Sequence, residues 1–154
     1  MTKRKKEVWN SHWNVVKNNA LCQFSLIIPS KPKKDNLPRL IFETVPIINK
    51  LYDWENEITI GMDINEIGSL LLNIKDGFES PIELHHTLSK NEGIDKVLFV
   101  SQTENKNLNF AFVITKQGLE IRKINIEMTK SEMVLLNSLL NLAVARMMGF
   151  CEYK

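Results

Sequence analysis

Apolar positions recur along this chain at two periods, and the switches between them mark its elements. In "ALCQFSLIIP" the alternation sets Cys22, Phe24, Leu26 and Ile28 on one face and Leu21, Gln23, Ser25 and Ile27 on the other, the two-residue period of a strand. The prolines, lysines and Asp-Asn pair of "SKPKKDNLP" read as loop. "RLIFETV" predicts a second strand that stops at Pro46, "NKLYDW" a further extended segment, and "NEITIGM" another strand. Asp63 followed by Glu66 predicts a capping box, in which each side chain bonds the other residue's free backbone N–H. It opens a helix from about Ile64 to about Ile74, with Ile67, Leu70, Leu71 and Ile74 at helical spacing and Gly77 as its stop.

The second half repeats this order. "SPIELHHTL", "KVLFVSQT", "LNFAFVITK" and "LEIRKINIEM" are β-patterned runs separated by "SKNEGID", "ENKN" and "QG". Thr129 and Glu132 then form a second capping box, opening a helix that runs to Met148 with Gly149 as its cap. The predicted class is α+β: two four-stranded antiparallel sheets with two helices, a ββββα unit used twice.

Met133, Leu136, Leu140, Ala143 and Met147 step by threes and fours along the last helix. Leu135, Leu139, Leu142 and Val144 widen the apolar arc beyond the roughly 100° that one sheet covers. One side is expected on the chain's own sheet. The other is expected against a partner subunit, with Met133, Leu136, Leu140, Ala143 and Met147 as the oligomer interface.

At 154 residues, 44% apolar and 25% charged, the chain suits one globular domain. No unbroken apolar run reaches the roughly 18 residues of a membrane span. The basic start "MTKRKKEVWN" leads into "SHWNVVKNN" rather than the apolar stretch of a secretory signal, so a cytoplasmic protein is expected. Cys22 and Cys151 are too few for a disulfide framework and read as buried thiols. Of the 20 basic residues, Lys3, Arg4, Lys5 and Lys6 lie in the first six positions. Against 18 acidic residues, the body beyond them is therefore slightly acidic. Binding to a polyanion then requires a local cluster of cations, or stacking on aromatics, which needs no net charge.

"YDW" at Tyr52 to Trp54 is followed by a strand and then "NEIGSLL" at Asn65 to Leu72. "NEG" at Asn91 to Gly93 precedes "KVLFV" at Lys96 to Val100. "MTKSEMVLL" at Met128 to Leu136 and "MMGF" at Met147 to Phe150 close the series. In their order and spacing, over roughly residues 16 to 150, these words resemble the Whirly family of single-stranded-DNA-binding proteins. In "KNNAL", Lys17 and Ala20 match the family's lysine-glycine-lysine-alanine stretch, with Asn18 and Asn19 at its glycine and second lysine. Phe99 stands where the family's "KVLKV" has its second lysine.

The resemblance implies a homotetramer that binds single-stranded DNA along its sheet edges, with little sequence preference, in replication, recombination or repair. It implies a basic tail over residues 1–15, the binding domain over 16–151 and a short tail over 152–154. Plant members carry organellar transit peptides, and this chain shows none, so a bacterial or phage-borne relative is expected, in keeping with frequent Asn, Lys and Ile.

Single-strand binding needs π-faces for bases, each worth about 1–3 kcal/mol, and cations for phosphates. The candidate rings are Phe42, Tyr52, Trp54, Phe99, Phe110 and Phe112. Phe112 shares a face with Phe110, so at least one of that pair belongs to the core. Phe99 alternates against Leu98 and Val100 and is the more credible exposed ring. The candidate phosphate contacts are Lys17, Lys31, Lys33, Lys34, Lys50 and Lys96, with Asn18 and Asn19 beside Lys17. Asp53 is expected to hold its turn rather than meet a polyanion. RNA as the ligand, or an oligomeric scaffold with no ligand, are the alternatives.

Enzyme chemistry finds no footing. His85 and His86 are adjacent on a strand and so point to opposite faces, and His12 has no partner residue in sequence. No phosphate-binding glycine loop, nucleophile elbow or metal-ligand spacing is present, and no cofactor or metal is expected.

Overall fold

In the computed structural model, which describes residues 12–29 and 37–149, the alternating runs become two antiparallel sheets and the periodic runs two helices. The first repeat holds β1 (His12–Val16), β2 (Ala20–Ile27), β3 (Arg39–Ile48), β4 (Leu51–Tyr52), a single 3-10 turn (Trp54–Asn56), β5 (Ile58–Met62) and α1 (Ile64–Asp76). The second holds β6 (Ile82–Ser89), β7 (Ile94–Gln102), β8 (Leu108–Lys116), β9 (Leu119–Met128) and α2 (Lys130–Met147). Sheet 2 runs β6-β7-β8-β9 in chain order. Sheet 1 runs β1-β2-β3-β5, and the two-residue β4 pairs with the far end of β3. Among the described residues, no helix is long and apolar enough to cross a membrane.

Three features of the first repeat differ from the pattern reading. Its fourth full strand is "HWNVV", which starts at His12 within the segment read as a tail, and "NKLYDW" supplies only the short β4 and the start of the 3-10 turn. Trp13 and Val15 alternate inward in β1, but five residues beside a basic run carry too little periodicity to stand out. β3 also passes through Pro46. The Pro46 carbonyl accepts the Asp53 N–H at 2.8 Å on the side where β5 pairing has ended, so the N–H that proline lacks is not needed by the ladder there.

Register turns alternation into a core. Trp13, Phe24, Phe42 and Ile60 form one row across sheet 1. Val100, Phe110 and Ile126 form a row across sheet 2, with Leu98, Phe112 and Ile124 beside it. The rings meet in series: Trp13 stacks on Phe24 at 5.3 Å, Phe24 meets Phe42 edge-on at 4.6 Å, and Phe42 crosses to Phe110 of the other sheet at 5.9 Å. Phe110 and Phe112 then lie 6.4 Å apart. Edge-to-face and offset geometries of this kind add about 0.5–1.5 kcal/mol per pair beyond area burial.

Both helices close on this core, α1 through Ile67 and Leu70, α2 through Leu136, Leu140 and Ala143. This corrects the oligomer reading of α2. Leu136, Leu140 and Ala143 are fully buried inside one chain, and Met133 and Met147 pack against the same core. The apolar arc is two-sided as expected, but the outward side is Val134, Leu135 and Leu142. Periodicity fixes the angle between the two sides and says nothing about which one meets the sheet.

Each capping-box glutamate also reaches the other repeat. Glu66 accepts the Asp63 N–H through Oε1 at 3.1 Å, and its Oε2 lies 3.2 Å from Nε2 of His86 on β6. Glu132 accepts the Thr129 N–H at 3.0 Å and receives an ion pair from Lys17 at the end of β1. Burial pushes the Glu132 carboxyl up, but the bonds from Lys17 and Thr129 and the Lys17 charge outweigh it and hold the group below the ordinary value of 4.5. Burial, with the nearby Glu43 charge, pushes the Cys22 thiol far up, so this cysteine is inert packing.

Phe110→Ala should destabilise the fold by about 3–5 kcal/mol in urea unfolding, because it cuts the ring series where the sheets meet. The Glu132 pKa is lowered on folding, so its contribution is present above the ordinary carboxylate value of 4.5 and is lost as pH falls through the folded value. Between about pH 5.5 and about pH 3, the melting temperature of Glu132→Gln should therefore fall less than that of the wild type.

Candidate nucleic-acid interface

β3 turns into β4 through a two-residue loop. Ile48 pairs with Leu51, and Asn49 and Lys50 take φ of 51° and 63°. A loop with positive φ at both central residues matches the right-handed twist of a hairpin. Beyond it, Tyr52 and Trp54 stand 48% and 49% exposed, their ring centroids 6.1 Å apart and their planes tilted by 52°. The tilt prevents the rings from covering each other's faces, which leaves π-surface for a third ring.

A brace holds this pair. Asn56 Nδ2 donates to Asp53 Oδ2 at 2.7 Å, so Asp53 does hold the turn, and Arg122 Nη1 on β9 donates to Asn56 Oδ1 at 2.7 Å. The 3-10 turn of the first repeat is thereby fixed to the edge strand of the second. Arg122 and Asn56 carry no signal of this in sequence, since the bond spans 66 residues.

The other predicted residues are not brought to this site as a group. Phe42 and Phe110 are corrections: both are fully buried and belong to the ring series between the sheets, so neither offers a face to a ligand. Phe99 is half-buried on the outer face of sheet 2, between Glu83 and Ala111 in the ladder. Arg122 pairs with Ile114 on the opposite face, so Phe99 and the Tyr52–Trp54 pair lie on different sides of sheet 2. One strand touching both must round the sheet edge or pass between two copies of the chain.

The cations divide in the same way. Lys17 is ion-paired with Glu132, and Lys96 Nζ donates to the Thr59 carbonyl, so both are engaged in joining the repeats. Asn19 donates to the Asn125 carbonyl on β9 at 2.7 Å, while Asn18 is exposed in the β1–β2 turn. Lys50 is exposed at the hairpin tip and has no ion pair among the described residues. Lys31, Lys33 and Lys34 lie outside the described residues.

The histidines point to opposite faces as expected: His85 Nε2 lies 3.0 Å from Glu83, and His86 faces Glu66. Among the described residues, no group of three His, Cys, Asp or Glu side chains is placed to hold a metal ion.

The family model described as "Whirly transcription factor" matches residues 21–139. Among solved structures, the chain is similar to the plant transcriptional regulator PBF-2, with a TM-score of 0.71 and 21% sequence identity over 90% of each chain. Among curated proteins, none matches.

Proposed function

The chain belongs to the Whirly family, and from that premise we propose that it is a non-enzymatic protein that binds single-stranded DNA with little sequence preference, in support of replication, recombination or repair. The observation that carries this reading is the exposed, braced Tyr52–Trp54 pair. A protein that buries four phenylalanines between its sheets has the means to bury two more rings, yet it holds these at the surface on a buttressed turn. Stacking suits every base, which accounts for the low sequence preference, and it functions on a body with little net charge.

Assembly as a homotetramer belongs to the same proposal. Val134, Leu135 and Leu142 of α2 and Leu72 of α1 are exposed apolar side chains on the two helices. Leu72 and Val134 line one open groove of about 690 Å³ between the helices. An apolar surface of this kind is suited to a symmetric contact with a second copy.

Fluorescence polarization with a mixed-sequence strand of about 30 nucleotides should show tighter binding than to the matching duplex, with a modest salt slope of the kind expected when stacking outweighs phosphate contacts. Trp54→Ala should weaken binding by about 1–3 kcal/mol. Equal affinity for duplex and single strand would refute the proposal, and a matched RNA strand that outcompetes DNA would reassign the ligand. Leu135→Lys should reduce the particle to a smaller species in size-exclusion chromatography with light scattering, whereas Leu136→Lys should unfold it.

A further inference from the structure

Lys50 occupies a position that its own backbone disfavours. A two-residue hairpin loop with positive φ throughout is the setting for Asn-Gly, because glycine has no Cβ to clash there. The chain places Asn49 at the first position, where an Asx side chain tolerates the conformation, but puts lysine at the second with φ of 63°. Strain of this sort persists where the surrounding structure enforces it, and it gathers at ligand clamps.

The residues around the loop share an unusual exposure. Ile48 is 55% and Leu51 72% exposed, next to Tyr52 and Trp54. Single exposed apolar residues need no explanation, but four within the seven positions that run from the hairpin into the 3-10 turn do. The cation at the centre of this stretch is also the exposed one among the described lysine candidates, since Lys17 and Lys96 are engaged within the fold.

We propose that the Ile48–Leu51 hairpin is the phosphate-holding half of the Tyr52–Trp54 site. Lys50 meets the sugar-phosphate backbone of a single strand whose bases lie against Leu51 and the two rings. This rests on the single-strand-binding reading above and assigns its electrostatic contact to one residue. The strained turn is kept because glycine, which the backbone prefers, would remove the charge.

The turn makes the charge separable from the fold, and Lys50→Gly is the test. Its melting temperature should equal the wild type's or exceed it by up to about 4 °C. Its affinity for a strand of about 30 nucleotides should fall roughly three- to tenfold, and the salt slope should drop by about one phosphate contact. Lys50→Arg should keep the affinity. Leu51→Ser should weaken binding without changing particle mass. Unchanged affinity and slope in Lys50→Gly, or an equal loss in Lys50→Arg, would overturn the hairpin assignment while leaving single-strand binding intact. A change of particle mass in Leu51→Ser would make the tip a subunit contact and overturn it as well. A wild-type chain that binds no single strand would remove the underlying function, which is a different result from any of these.

Discussion

The contact of Phe42 with Phe110, 5.9 Å between ring centroids, is where the two sheets become one core. Each sheet alone has one apolar face and no interior. With Phe24 and Trp13 behind Phe42, and Phe112 beside Phe110, the contact belongs to a series of rings that runs from the edge strand of one repeat into the middle of the other. This series decides which aromatics remain for function. Rings that stack on each other between sheets cannot stack on bases, so among the described residues Tyr52 and Trp54 form the exposed aromatic pair, with Phe99 half-covered on the far face of sheet 2.

Polar contacts at the edges of the core repeat this logic. The capping boxes of α1 and α2 are local devices, readable within four residues each. Their glutamates also carry a second contact, Glu66 to His86 of the second repeat and Glu132 to Lys17 of the first. Each helix start is tied to the opposite repeat, so the duplication is reciprocal in its joints although the joining residues differ. The cost falls on ligand binding, because Lys17 serves the fold before it can serve a phosphate. Family resemblance alone would have given that lysine a ligand.

What could be read from sequence follows from the range of each interaction. Sheet 2 was legible strand by strand, since its runs alternate cleanly and its turns carry glycine or asparagine. Both helices were legible through Asp63–Glu66 and Thr129–Glu132. β1 was too short to show a period. The β3–β4 hairpin carries no local signal, because "NK" lacks the glycine that announces such a loop and Pro46 imitates a strand end. The sites of Phe42, Phe110, Lys17 and Lys96 depend on partners 68, 115 and 37 residues away in the ring contact, the ion pair and the carbonyl bond, beyond the reach of any local pattern. The stripe on α2 is legible, but the side it turns to the core is not, since periodicity has no outward direction.

The aromatic rings divide between core and surface, and the proposed function rests on that division. Trp54 lies on the surface side of that division, on a turn held by Asp53, Asn56 and Arg122, and its emission reports on whatever reaches it. Titrating single-stranded DNA into wild type and Trp54→Phe while following tryptophan fluorescence tests the division directly. A saturable quench in the wild type that is largely lost in Trp54→Phe, which keeps Trp9 and Trp13, is the predicted result. A quench of equal size in both proteins would contradict it.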